Sequence, residues 1–369
     1  MSHIDGPGDA VECALRRPIS RRKLLIRGAQ ITLAAGAAGI GIAGYLVQQR
    51  PSPWNAARFA PPGRSTVAVL RASGYGVDLE GHVRDALRLL GVEVRNLSVL
   101  LKPNIVEFDP GAAINTDPHL VAATVAAMRS MGARSVTVAE GSGHRRDTQY
   151  IADRSGLLDL LRDVDAPFVD LNTAPVRRVV LDSHFTELGE LWLPTPILDA
   201  DLVVSMPKLK THHWGGVTLS LKNCFGMVPG RIYGWPKNVL HWAGMQGSIL
   251  DVAGAVRPGL AIVDGIVGMQ GNGPIQGDPV NAGVIVVGTD PVAVDSTAAR
   301  LMQIDPERVS YLSDAGRFLG QLRPELIDQR GEDPERLAVA FDLMPDFAGL
   351  RIGAAAGNDV GDSRPDPGA

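Results

Sequence analysis

The sequence predicts an α/β fold: a largely parallel central sheet with flanking helices. Two observations carry this. Short runs rich in Val, Ile and Leu alternate with helical patterns along the chain, as in successive β–α–β units. Five of those runs end in a polar or glycine-rich loop, as strands do at the carboxyl edge of a parallel sheet, where ligands bind.

The elements follow in order. "STVAVLRA", starting at Ser65, reads as a strand, and "DLEGHVRDALRLLG" as an amphipathic helix closed by Gly91. "LSVLLKPN" is the next strand. In "TDPHLVAATVAAMRSMG", Thr116 or Asp117 caps a helix, Pro118 suits its first turn and Gly132 ends it. "RSVTVAEG" is a third strand and "DTQYIADRSGLLDLLRD" is helical. Residues 169–193 follow neither period, which predicts a hairpin or a small irregular lobe in the middle of the chain. "ADLVVSMP", "GLAIVDG" and "AGVIVVG" are three further buried strands. "TDPVAVDSTAARLMQ" repeats the Thr-Asp-Pro helix start.

Ahead of these elements, Arg21 and Arg22 precede an apolar, Ala/Gly-rich stretch from Ala29 to Val47. Residues 1–50 therefore read as a twin-arginine export signal, with a conventional membrane anchor as the alternative. That reading makes the twin-arginine translocase a partner and the location periplasmic or elsewhere in the cell envelope. Membrane contact would run through this segment only. Residues 51–64, "PSPWNAARFAPPGR", read as a Pro-rich linker, 65–350 as one folded domain, and 351–369 as a disordered tail.

Composition removes several function classes. The 369 residues are 45% hydrophobic and carry a net charge of -4, so nucleic acid is not the expected partner. The two cysteines, Cys13 and Cys224, are too few for an iron–sulfur cluster or a Cys-rich zinc site. A divalent metal held by a histidine with Asp264 or Asp290 remains open, and the cofactor is otherwise undetermined.

Lysine usage points to a site. Of 36 Lys and Arg residues only six are lysine. Lys23 is in the leader; Lys102, Lys208, Lys210, Lys222 and Lys237 lie in or near the strand-end loops. An ammonium is a compact point charge whose pKa moves on burial, whereas guanidinium stays charged. Between Asp201 and Asp251 there is no acidic residue, yet the interval holds four lysines, Arg231, His212, His213 and His241. Such a segment attracts an anion; the plainer alternative is a basic loop neutralised by distant acids. In an extended "MPKLKTH", Lys208, Lys210 and His212 share one face. Crowded amines become either an anion clamp or an activated amine for proton transfer or Schiff-base chemistry. "EGSG" followed by Arg145 resembles a backbone nest for an anion. "GMQGNGPIQG" misses the dinucleotide spacing and suggests a mobile loop or a close backbone approach. Cys224 reads as a small buried residue.

Together "KPN", "TDP", "EGSG", "ADLVVSMPKLKTH", "SLKNCFGMVPG", His241, "VDGIVGMQGNGP" and "GTDPVAVD" resemble, in order, domain-of-unknown-function family 362. The resemblance runs from about Ser98 to Tyr311 and carries no reaction. Some relatives bear iron–sulfur modules, for which this chain lacks cysteines.

The expected function is an enzyme acting on a small anionic compound, a carboxylate or phosphate. His212, His241, Lys208 and Lys210 are its candidate catalytic residues. Lys102, Asn104, Ser142, Arg145, Lys222 and Asn223 would bind substrate, and Asp264 and Asp290 would hold a metal or orient a base. The alternative is a non-catalytic binding protein of the cell envelope.

Overall fold

The computed structural model of the chain describes residues 52–143 and 147–354. The leader, Arg145 and most of the expected tail lie outside the described residues.

Among the described residues there are twelve strands and six longer helices. They are β1 (Ser65–Arg71), α1 (Leu79–Leu89), β2 (Ser98–Pro103), α2 (Pro118–Ser130), β3 (Ser135–Glu140), α3 (Thr148–Arg154), α4 (Leu157–Asp163), β4 (Phe168–Asp170), β5 (Val176–Val180), β6 (Glu190–Pro194), β7 (Leu202–Met206), β8 (Lys208–His212), β9 (Gly216–Thr218), α5 (Met245–Val256), β10 (Leu260–Asn272), β11 (Gln276–Gly288), α6 (Pro291–Leu301) and β12 (Ile327–Gly331). Shorter helical turns fill residues 220–242.

Ten strands form one sheet in the order β12-β1-β11-β10-β7-β2-β3-β4, with β8 on β10 and β9 on β8. Along that order only β11 runs against the rest. The fold class is the expected one. Strand side chains alternate between two cores, as the period of two requires. Val67 and Val69 face the side carrying α5 and α6, while Ala68 faces the side carrying α1 to α4. The irregular middle of the chain is a separate two-stranded antiparallel hairpin, β5–β6, whose Leu191 and Leu193 join the α5–α6 core.

Two features correct the sequence reading. Part of the expected linker is packed. Trp54 bridges to Ser183 and stacks on Phe185 and Phe318, and Phe59 is buried beside them. Large rings gain too much from burial to stay in solvent on a Pro-rich tether. The second concerns direction. β11 is antiparallel, so Gly288-Thr289-Asp290 opens on the opposite edge from the ends of β2, β3, β7 and β10. Four of the five loops share an edge, and the fifth does not.

Two glycines set the close approaches at that shared edge. A Cβ on Gly226 would fall 2.4 Å from Lys102 Nζ and 2.5 Å from Glu140. A Cβ on Gly273 would fall 2.1 Å from the Thr211 carbonyl oxygen. The "GMQGNGPIQG" glycines thus serve a tight backbone approach within the long β10–β11 hairpin.

Candidate functional site

Two of the lysines are neutralised within the protein. Lys102, at the end of β2, is 1% exposed. Its amine donates to Glu140 at 2.7 Å, to the Pro103 carbonyl at 2.7 Å and to Asn223 Oδ1 at 2.8 Å. Its three protons are thereby used. Glu140 also accepts from the Ile105 and Gly141 amides. Asn223 spends its amide on the Lys102 carbonyl and Ser205, and Asn104 leans on Asn223. Lys208 opens β8 and donates to Asp264 at 2.7 Å and to the Tyr75 hydroxyl at 3.0 Å. The Tyr75 hydroxyl donates to Asp264, and the Asp117 amide completes the carboxylate's shell. These groups were expected to hold substrate, act in catalysis or bind metal. They form two closed ionic knots instead, because acids far along the chain fold onto them.

Lys210 and Lys222 differ. Lys210 is fully buried, and its amine meets only carbonyl oxygens, Ile114 at 2.9 Å and Pro274 at 3.3 Å. Burial, and then the charges of Lys222, Lys208 and Lys102, press its pKa well below the usual lysine range. Lys222 projects from the short turn Ser220–Asn223. Its Nζ lies 5.5 Å from the centre of the Phe225 ring and its Cε packs on Gly215. It forms no hydrogen bond with any described residue and keeps part of its surface open. Burial of the rest, and the charge of Lys102, bring its pKa down to about 8.

Three imidazoles, in two tautomers, feel the charge of this amine. His212 Nδ1 accepts from the Trp214 and Gly215 amides at 3.0 and 3.2 Å, so its proton sits on Nε2. Burial and then the Lys222 charge hold it neutral. His213 Nδ1 donates to the Gly273 carbonyl and His241 Nδ1 to the Lys237 carbonyl. Their Nε2 atoms therefore present lone pairs. Phe225 packs edge-on against His241, as does Trp214. One neutral donor and two neutral acceptors thus stand around one or two unpaired amines.

The other candidates are placed as follows. His241, His212, Lys210 and Lys222 converge. The Ser142 hydroxyl is committed to the Ile105 carbonyl at 3.0 Å and serves the loop. Asp290 is a helix cap: it accepts from the Val292, Ala293 and Gln321 amides and from the Ser65 hydroxyl. That is the role its Thr-Asp-Pro setting gives it, and it lies at the far edge, away from Asp264. Among the described residues no group of three His, Cys, Asp or Glu could hold a metal. Cys224 is buried, and burial pushes its thiol up to about 12.

Two contributors, Glu140 and Asp295, escaped sequence reasoning, and a third, Lys237, was given no role by it. Glu140 was visible only as the start of "EGSG". Asp295, fully buried on α6, accepts from the Ser220 and Leu221 amides at 2.7 and 3.0 Å and so holds the turn that carries Lys222. Its signal was the final Asp of "GTDPVAVD". Lys237, in left-handed backbone, ties Gly141, Val228 and Asn172 together through its amine.

Fold and side-chain placement define an α/β protein whose parallel-sheet edge carries two buried or half-buried amines with no carboxylate partner among the described residues, Lys210 and Lys222, near His212 and His241. The chain belongs to the family described as domain of unknown function (DUF362), whose model matches residues 99–300. A thylakoid-associated protein of Synechocystis sp. is 33% identical over 267 residues, which are 69% of this chain and 79% of that one. Among solved structures, the lactate racemase apoprotein from Thermoanaerobacterium thermosaccharolyticum aligns with a TM-score of 0.38 at 14% identity, over 66% of this chain and 58% of its own. A protein from Thermotoga maritima aligns with a TM-score of 0.39 at 12% identity, over 63% and 60%. This chain therefore spans under two thirds of either solved chain.

Proposed function

We propose that the chain is an enzyme acting on a small anionic compound, a carboxylate or phosphate, in the cleft between Lys210, Lys222 and His212. One observation supports this above others: two desolvated amines, one feeling the charge of the other, have no carboxylate ion pair among the described residues. Native proteins pair buried charge or leave it for a ligand. Lys102 and Lys208 show that this fold supplies carboxylates where only structure is needed.

Thermal shift of the full chain against acetate, lactate, citrate and inorganic phosphate tests the reading. A ligand at 100 times its Kd adds about 2.7 kcal/mol to the folded state. At least one anion should raise the wild-type Tm, and Lys210→Met and Lys222→Met should each lose that response. A panel that leaves wild type unmoved, or shifts both variants equally, sinks the proposal. Binding without turnover of any bound anion would favour the envelope binding protein.

Export through the twin-arginine route belongs to the same proposal. Arg21-Arg22 ahead of the apolar run supports it, and a relative described as thylakoid-associated agrees with a membrane-bordered location. No helix among the described residues is long and apolar enough to cross a membrane. Cell fractionation checks this. Wild type should leave the cytoplasm and the Arg21→Lys, Arg22→Lys double variant should stay; equal distribution of the two refutes export.

A further inference from the structure

We propose that Lys222 is a nucleophile and forms an imine with a 2-oxo acid whose carboxylate is held by Lys210 and His212. The inference rests on the anion-site reading and goes beyond it, since a clamp needs only charge.

Four observations lead to it. First, among the described residues the Lys222 amine alone makes no hydrogen bond or ion pair. Lys102, Lys208 and Lys237 spend their amines on protein oxygens, and Lys210 is held by two carbonyls. Lys222 has no such tie and sits over an aromatic ring at a partly open surface. A lysine is nucleophilic only when neutral, and apolar surroundings with a second cation nearby provide that state. Its depressed pKa has those two causes in that order.

Second, the neighbouring groups divide the work that condensation requires. His212 offers an Nε2 proton as a fixed hydrogen-bond donor, because two backbone amides occupy its Nδ1. His241 offers an Nε2 lone pair, because its Nδ1 proton is given to the Lys237 carbonyl. Third, the imidazoles feel the same amine. The Lys222 charge lowers the pKa of His212, His213 and His241 alike. Fourth, the Lys222 turn is fixed from behind by the buried Asp295 carboxylate, which limits the amine's search.

The step balances without an oxidant. The Lys222 nitrogen lone pair bonds to the carbonyl carbon of the 2-oxo acid. One nitrogen proton passes through His241 Nε2 to the carbonyl oxygen and gives a carbinolamine. The second nitrogen proton follows the same route, the C–O bond breaks, and water leaves as the C=N bond forms. His212 donates its hydrogen bond to the substrate oxygens throughout and keeps its proton. Lys210, with two of its donors on Ile114 and Pro274, has one left for the carboxylate.

Borohydride trapping of the full chain with pyruvate tests this, with lactate as the carbonyl-free control. One reduced pyruvate adduct per chain should form, and peptide mapping should place it on Lys222. Lys222→Arg should give no adduct there while lactate still raises its Tm, because the charge is kept. His241→Gln should trap about 100-fold more slowly with its lactate shift retained. Adduct on other amines, or none, while pyruvate and lactate both stabilise wild type, overturns the imine and leaves the anion site standing. Failure of both compounds to shift wild type overturns the imine, and the anion site falls with it only when acetate, citrate and phosphate also leave wild type unmoved. The mapping is done on wild type, so a variant that fails to fold does not decide the outcome.

Discussion

Lys102 and Lys210 are the same residue at the same edge of one sheet, 1% and 0% exposed, yet they are held in opposite ways. Lys102 meets a carboxylate and two further oxygens. Lys210 meets two carbonyls and three other amines within Coulomb range. Burial alone therefore does not mark function. What separates scaffold from site is whether the protein supplies the counter-charge. The Lys102–Glu140 pair locks the ends of β2 and β3 to the Asn223 turn. Lys210 and Lys222 leave a positive field unbalanced a few residues away.

The largest expected effect comes from unbalancing the scaffold. Glu140→Gln removes the only carboxylate on Lys102 and weakens acceptors for the Ile105 and Gly141 amides. Removing one partner of a buried pair costs about 3–5 kcal/mol. Urea denaturation should show a loss of that size. A loss under about 1 kcal/mol, the value typical of exposed pairs, would mean that the knot is not structural and the contrast is false.

Lys210→Met probes the other side and should change stability far less. The variant loses two hydrogen bonds of about 1 kcal/mol each but no longer buries an uncompensated amine. The two effects oppose, so the net change expected in the same denaturation experiment is within about 1 kcal/mol. The anion response should nonetheless vanish. A stability cost as large as that of Glu140→Gln would make Lys210 scaffold as well and remove the reason to look for a ligand.

How much of this was legible in the sequence follows from what a linear pattern contains. Strand and helix periods are local, so "LSVLLKPN", "RSVTVAEG" and both Thr-Asp-Pro helices could be read directly. The rarity of lysine is also a linear property, and it led to the segment proposed here as the site. Pairing is not. Glu140 lies 38 residues from Lys102, and Asp264 lies 56 from Lys208; nothing in either stretch announces the other. Strand direction was the second hidden quantity. "AGVIVVG" looks the same parallel or antiparallel, and Asp290 was placed on the wrong edge for that reason. The two apolar runs end at Gly265 and resume at Ala282, a gap long enough for a crossover. Only the extension of β10 to Asn272 and the start of β11 at Gln276 reduce it to a hairpin turn. The acid-free, lysine-bearing segment around Lys222 was legible in composition, while the tautomers of His212 and His241 depended on backbone amides and carbonyls that no side-chain pattern encodes.

The smallest effect is on pH dependence, and it carries a definite sign. Lys222 titrates near 8 and Lys237 near 7 in the folded chain, against a reference of 10.5. Between those values and 10.5 the unfolded chain binds more protons, so stability rises with pH across that window. Asp295, raised from 3.8 to about 7, acts in the opposite sense below it, because there the folded state binds the extra proton and stability falls as pH rises. Above pH 9 the Cys224 thiol, raised from 9.0 to about 12, also opposes the amines, so the amine part is read between pH 7 and 9 and as the difference between wild type and Lys222→Met. Lys222→Met should flatten the ligand-free rise above pH 8 and leave the Lys237 part in place. A bound anion should act in the opposite direction on the same residue. It favours the ammonium, raises the Lys222 pKa toward the reference value and suppresses the rise in wild type. An alkaline slope that Lys222→Met leaves intact would be assigned to the other buried amines, Lys237, Lys210 and Lys102. The boundary between scaffold and site would then have to be redrawn around Lys210, the amine that still lacks a carboxylate.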